Sequence, residues 1–301
     1  MVASEAHKVN TPSESMSTIA LIPTGKMEHA ALGAALGRLF PDHCFIVRPP
    51  EMNLDGFTSR DVSPLVAATA GPVPTSLDEL AKELVNSILP SRRGRSINYA
   101  YVVEDLELCN QHQPELVLRI FRDAVEGYIH RTWPQQSAPI FAAIRERCSF
   151  HLFRPMTEAY FFGEAAALQR ANAVQEAKLP ANLDLEHFYT TDPDYLNFPS
   201  CDRITDMPMR QNHPKAYIHF LCDPTLSNKK LKYRESQNGV QALSLLDWEQ
   251  VLSAPPHCPF LHAFLDDLGA ALDSPLPFVN AAHPDERVRF PGPQNRLLRN
   301  L

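Results

Sequence analysis

Four short apolar runs, each set beside a stretch of helical periodicity, leave this chain few ways to fold. The runs are STIALIP (17–23), FIV (45–47), YAYVV (99–103) and SFHLF (149–153). They are rich in aliphatic and aromatic residues and too short for helices, as buried strands are. After the first run, apolar residues recur at Ala31, Leu32, Ala35, Leu36 and Leu39. Before the third comes a predicted helix at 76–89, with Ser76 and Glu79 spaced as a capping box. After it, Leu116, Val117, Ile120, Phe121 and Val125 mark a helix over 114–129, followed by a shorter one at 139–145. The fourth run leads into a predicted helix at 156–171. Alternation of strand and helix implies an α/β sandwich about a mainly parallel sheet.

The α/β pattern spans residues 17–177. Before it, MVASEAHKVNTPSESM (1–16) has no hydrophobic stretch and reads as a disordered leader, not a signal peptide. Residues 178–213 are rich in Pro and Asp and lack periodicity, as a long connection does. A helical extension follows over 214–275, with helices expected at 214–221, 238–246, 247–252 and 259–272, and 276–301 reads as a polar tail. The chain holds 27 prolines and 11 glycines, a balance that favours stiff connections. Six scattered cysteines without a CxxC argue against a zinc knuckle or a disulfide scaffold and suit a reducing cytoplasm. No apolar run reaches the roughly 18 residues of a membrane span. A net charge of −7 argues against a generic nucleic-acid coat, while leaving room for a local basic groove.

The acids are placed where a parallel sheet puts its ligands, beyond the carboxyl ends of the strands. Glu28 follows the first strand. Glu104, Asp105 and Glu107 follow the third, and Glu158 and Glu164 the fourth. If these strands are neighbours, the acids converge. Clustered carboxylates repel one another unless a cation sits among them. A hard divalent ion such as Mg²⁺ or Mn²⁺ accepts one or two carboxylates plus waters. Each acid alone also fits a plain alternative, a helix-start residue favoured by the dipole. Asp105 and Glu107 form a D-x-E pair on one side of the loop. Glu104 is expected to point the other way or to cap, and Glu164 to lie on a helix surface. Glu158 falls among Tyr160, Phe161 and Phe162, where an acid needs a partner.

The segments TGKMEHAAL, VVEDLEL and RPMTEAYFFGE, in that order, resemble the Toprim-like proteins of bacterial defence and mobile-element loci, which are often paired with ABC- or OLD-type ATPases. HPKAYIHFLCDP and KYRESQNGVQALSLLDW resemble that group's helical appendage. The resemblance implies a Toprim-like, mainly parallel sheet flanked by helices, with a C-terminal helical extension. It also implies Mg²⁺-dependent chemistry on phosphodiesters. Carried over, Glu28 matches the second acid of the E-G-x-x-E motif, Asp105 and Glu107 the acidic pair, and Glu158 the acid of the helix stretch. Glu28, Asp105 and Glu107 are then the catalytic candidates, and these three with Glu158 the metal ligands. One departure stands out: the first acid of the motif, the family's proposed general acid/base, falls on Thr24.

Cations suited to a nucleic-acid backbone are Lys26, in a T-G-K turn at a helix start, and Lys229, Lys230 and Arg234 beside Tyr233. SRRGRS (91–96) is a second basic turn. His213, His219, His257 and His262 lack ligand spacing, and Tyr233 and Trp248 read as packing residues. No G-x-S-x-G is present. Two functions stay open from the residues: a metal-dependent nuclease, and a catalytically silent module that docks on an ATPase partner.

Overall fold

The computed structural model describes residues 16–51, 54–67, 73–90, 96–198, 207–225, 232–253, 258–280 and 296–301. Strands β1 (Thr18–Pro23), β2 (Cys44–Val47), β3 (Tyr99–Asp105) and β4 (Cys148–Phe153) form one sheet in the order β2-β1-β3-β4. Every pairing is parallel, with Ile19 opposite both Phe45 and Tyr99, and Tyr101 opposite Ser149. The chain steps from β1 outward to β2, then returns to build β3 and β4 on the other side. The reversal lies between β1 and β3, where such sheets open a crevice.

Strand pleat divides the side chains between two layers. Ile19, Leu21, Tyr101, Val103 and Phe153 face one core, and Ala20, Ile22, Ala100, Val102 and Phe150 face the other. Helix α1 (Lys26–Leu39) covers the first face. On the second lie α2 (Ser63–Ala67), α3 (Thr75–Ile88), α4 (Pro114–Thr132) and α5 (Ser137–Arg147). The α/β architecture is as the alternation implied. Helix α3 starts one residue earlier than expected, at Thr75 after Pro74 in the cap position, and no side chain caps it, so Ser76 lies inside the first turn. Strand β3 runs two residues further than its apolar stretch, because Glu104 and Asp105 continue the pairing to Leu152 and Phe153.

The predicted helix over 156–171 is two pieces, a 3₁₀ run Thr157–Gly163 and helix α6 (Ala165–Arg170). Between them Glu164 adopts extended backbone. Its carboxylate accepts from Arg170 at 2.7 Å and from the Asp247 amide at 2.8 Å, so it is buried and paired, not a surface acid. The connection at 178–213 holds helices α7 (Pro193–Leu196) and α8 (Met207–Gln211) and a buried cluster around Phe188 and Tyr195. Elements of four or five residues are too short to show a period.

Helices α9 (Pro214–Cys222), α10 (Val240–Ser244), α11 (Trp248–Ser253) and α12 (Pro259–Ala271) form the helical extension. Leu243, Val251, Leu261 and Phe264 share one core with Ala31, Leu36 and Tyr101, so the extension packs as the outer layer of the sheet domain. After α13 (Pro277–Asn280), residues 296–301 return to the sheet. Leu298 and Leu301 are buried, and the Asn300 side chain bonds both the amide and the carbonyl of Phe150 on edge strand β4, at 3.1 and 2.6 Å. This end of the expected polar tail is thus a clasp. Residues 1–15 and the basic turn at 91–95, with Lys229, Lys230 and His257, lie outside the described residues.

Candidate active site at the carboxyl edge of the sheet

β1, β3 and β4 are neighbours, so their following acids do meet. A cleft of about 310 Å³ opens at this edge, lined by Glu28, Asp105, Glu107, Glu158 and Glu235, with Lys26, Lys215, His213, Gly25, Met27 and Met156. Five carboxylates face two ammonium groups and one imidazole. The strand pleat explains the sorting of the adjacent pair: Asp105 shares the face of Tyr101 and Val103 and enters the cleft, while Glu104 turns to the opposite layer.

Glu28 sits in the first turn of α1 and is 5% exposed. Its carboxylate folds back over the helix start, where a side-chain carbon on Gly25 would collide with it, so the glycine of the T-G-K turn is there for close approach. Among the described residues no hydrogen-bond donor reaches Glu28 Oε1. Burial and the neighbouring Glu158 push the Glu28 carboxyl up to about 7, offset in part by the Thr157 hydroxyl and by Lys215. Asp105 Oδ1 accepts from the Thr157 amide at 2.9 Å and its hydroxyl at 3.1 Å. Burial, then Glu28, Glu107 and Glu158, raise it well above the usual carboxylate range.

Glu107 is held differently. The Leu106 and Glu107 amides extend the β3–β4 pairing, bonding the Phe153 and Pro155 carbonyls at 2.8 Å each. The chain then turns at Glu107 with φ 64° and ψ 156°, a region that favours glycine. Strain of this kind costs about 1–3 kcal/mol and gathers at functional sites. Burial, and next Glu158, raise this carboxyl as well.

Glu158 has the partners an acid on an apolar face requires. The Tyr233 hydroxyl donates to Oε1 at 3.2 Å, and Lys215 Nζ stands 3.9 Å away. Tyr233 is therefore part of the site as well as of the core. Lys215 also pairs with Glu235. Lys26 is exposed on the cleft wall, whereas Arg234 is exposed outside the lining and donates to Gln237 at 3.4 Å.

On the far side, Glu104 accepts from the Thr58 amide at 2.9 Å and its hydroxyl at 2.7 Å. Burial pushes its carboxyl up to about 8 against those two donors. The site's other missed members are Lys215, His213 and Glu235, which arrive roughly 60 to 80 residues after the last strand. One signal was available. Lys215 is the second residue of α9, and a cation at a helix N-terminus opposes the dipole unless acids lie ahead of it.

The acids suit a hard divalent ion: carboxylate oxygens, mutually repelling, with one buried oxygen that no donor reaches among the described residues, beside the single imidazole of His213. Among the described residues no group of three or more His, Cys, Asp or Glu side chains is arranged to hold a metal ion. An oxygen-seeking ion with waters needs only one or two carboxylates, and Asp105 and Glu28 are the two that would supply them. No family model matches the chain, and no curated protein or solved structure does either. Among the described residues no helix is long and apolar enough to cross a membrane.

Proposed function

We propose that this protein is a Toprim-type, divalent-cation-dependent phosphodiesterase of the cytoplasm that cuts nucleic acid, in the defence-system setting its sequence resemblance implies. One observation carries the reading. Neighbouring parallel strands bring Glu28, Asp105, Glu107 and Glu158 into one cleft, with Glu28 Oε1 buried and lacking a donor. Asp105 and Glu28 would hold Mg²⁺ or Mn²⁺, with Glu107 and Glu158 beside them. Bound there, the ion would neutralise the carboxylates and polarise a phosphodiester oxygen. Thr157 fixes the Asp105 carboxylate, and the strained turn aims Glu107. Lys26, at the start of α1, is placed to meet a phosphate at the cleft wall.

The test is Mn²⁺ calorimetry on the wild type and on Asp105→Asn/Glu107→Gln, followed by cleavage of single- and double-stranded DNA and RNA. Binding and cleavage are expected in the wild type and lost in the variant. A wild type that binds no Mn²⁺ overturns the reading.

A second reading, a silent subunit docking on an ABC- or OLD-type ATPase, draws support from Thr24, whose hydroxyl occupies the place of the motif's first acid. That hydroxyl and Glu104 Oε1 both crowd Gly56, where a side-chain carbon would stand 3.6 Å from the first and 3.0 Å from the second. Partner binding that needs neither metal nor Asp105 would favour this reading.

A further inference from the structure

The cleft already contains a cation of its own. Lys215 reaches from the first turn of α9 to within 3.9 Å of Glu158 and pairs with Glu235. Its charge also acts on Glu28 and Glu107. One ammonium thus serves four carboxylates across the cleft, and Glu28, nine-tenths buried with an unpartnered oxygen, lines the same space. The position is costly by local rules, since a lysine in the first turn opposes the helix dipole. The field of the acids is what offsets it.

We propose that Lys215 is a specificity-determining residue of the cleft, a tethered monovalent counter-cation that only a divalent ion displaces. This rests on the metal-dependent reading above. A group tethered at a site acts at a local concentration far above that of a free competitor. Free K⁺ or Na⁺, with the same charge as the ammonium, gains little by replacing it. A divalent ion brings twice the charge to the same oxygens, and Coulomb attraction scales with charge. Lys215 then remains held by Glu235, outside the inner carboxylates. The result is a cleft whose charge is partly offset in the presence of monovalent salt and which is opened by divalent ions.

The experiment is Mn²⁺ calorimetry on the full chain for wild type, Lys215→Met and Lys215→Arg, at low and high KCl. Removing a competing charge should tighten Mn²⁺ binding on the order of tenfold in Lys215→Met, a usual size for coupling between two ligands. That gain should shrink as KCl rises, because free K⁺ takes the vacated role. Lys215→Arg should keep wild-type affinity. Unchanged or weaker Mn²⁺ binding in Lys215→Met, with binding intact in the wild type, overturns the proposal and leaves the metal reading standing. Absence of Mn²⁺ binding in all three proteins overturns both. A measurement on the unaltered protein covers the case in which Lys215→Met fails to fold. In ¹³C-lysine-labelled protein, Mg²⁺ should shift the Lys215 side-chain signal, and no shift there with Mg²⁺ bound overturns the proposal.

Discussion

Glu186 and the innermost cleft acids, Glu28 and Glu158, are all buried carboxylates, yet they are treated in opposite ways. Glu186 is fully buried and accepts three hydrogen bonds, from the Tyr160 hydroxyl at 3.1 Å, the Phe260 amide at 3.0 Å and the Leu261 amide at 2.9 Å. It thereby caps α12 from more than seventy residues away, satisfying amides that a helix start leaves open. The cleft acids are crowded together, with one oxygen of Glu28 given no donor. Glu186 is spent on holding the fold. The cleft acids are held at the expense of the fold, which is the mark of a site kept for a ligand.

The sharpest break in this comparison comes from removing each kind. Glu186→Ala strands two amides and a hydroxyl, and urea unfolding should show a loss of about 3–5 kcal/mol. Titration separates the two groups next. Burial pushes Glu186 up to about 8, and Glu104 likewise, while in the unfolded chain both release their protons near 4.5. Between those values the unfolded state binds fewer protons. Their stabilisation is therefore full below about pH 4.5 and is lost as pH rises to about 8, on the order of 1 kcal/mol per unit for each group. Unfolding curves across that window should flatten in Glu104→Gln, and an unchanged slope would count against a buried, proton-holding Glu104.

Two cleft substitutions should move stability the other way. Glu107→Gly relaxes the left-handed turn and should raise the unfolding free energy by about 1 kcal/mol while weakening Mn²⁺ binding. Asp105→Asn removes mutual repulsion and should leave stability within about 1 kcal/mol of the wild type, or slightly above it. If Asp105→Asn destabilised the chain as much as Glu186→Ala, the distinction between the two kinds of acid would collapse.

The cleft's inner acids were legible because their positions depend on local pattern. Each apolar run announces a strand, a parallel sheet aligns the strand ends, and Glu28, Asp105 and Glu158 sit just at or past those ends. The pleat even separates Glu104 from Asp105. Lys215, Tyr233 and Glu235 were not identified as site residues, because they arrive through packing of the helical extension, α9 on the 3₁₀ run Thr157–Gly163 and the segment leading into α10 on α1, and no spacing within one element encodes those contacts. Glu186 was hidden for a related reason. It lies in a stretch whose elements are too short for periodicity, and its three donors are scattered from Tyr160 to Leu261. Thr58, which binds Glu104, likewise comes from a loop with no pattern of its own.

The Asn300 clasp bears on how copies of this molecule behave toward one another. Strand β4 ends the sheet, and an open strand edge is a template on which another chain can pair. The Arg299 amide bonds the Cys148 carbonyl at 2.8 Å, and the Asn300 side chain supplies one donor and one acceptor to Phe150, so the end of the chain imitates the next strand over this short stretch. Protection of that edge is therefore shared by the Arg299 amide and the Asn300 side chain. Asn300→Ala would leave the monomer's core intact while making concentrated solutions prone to edge-to-edge association.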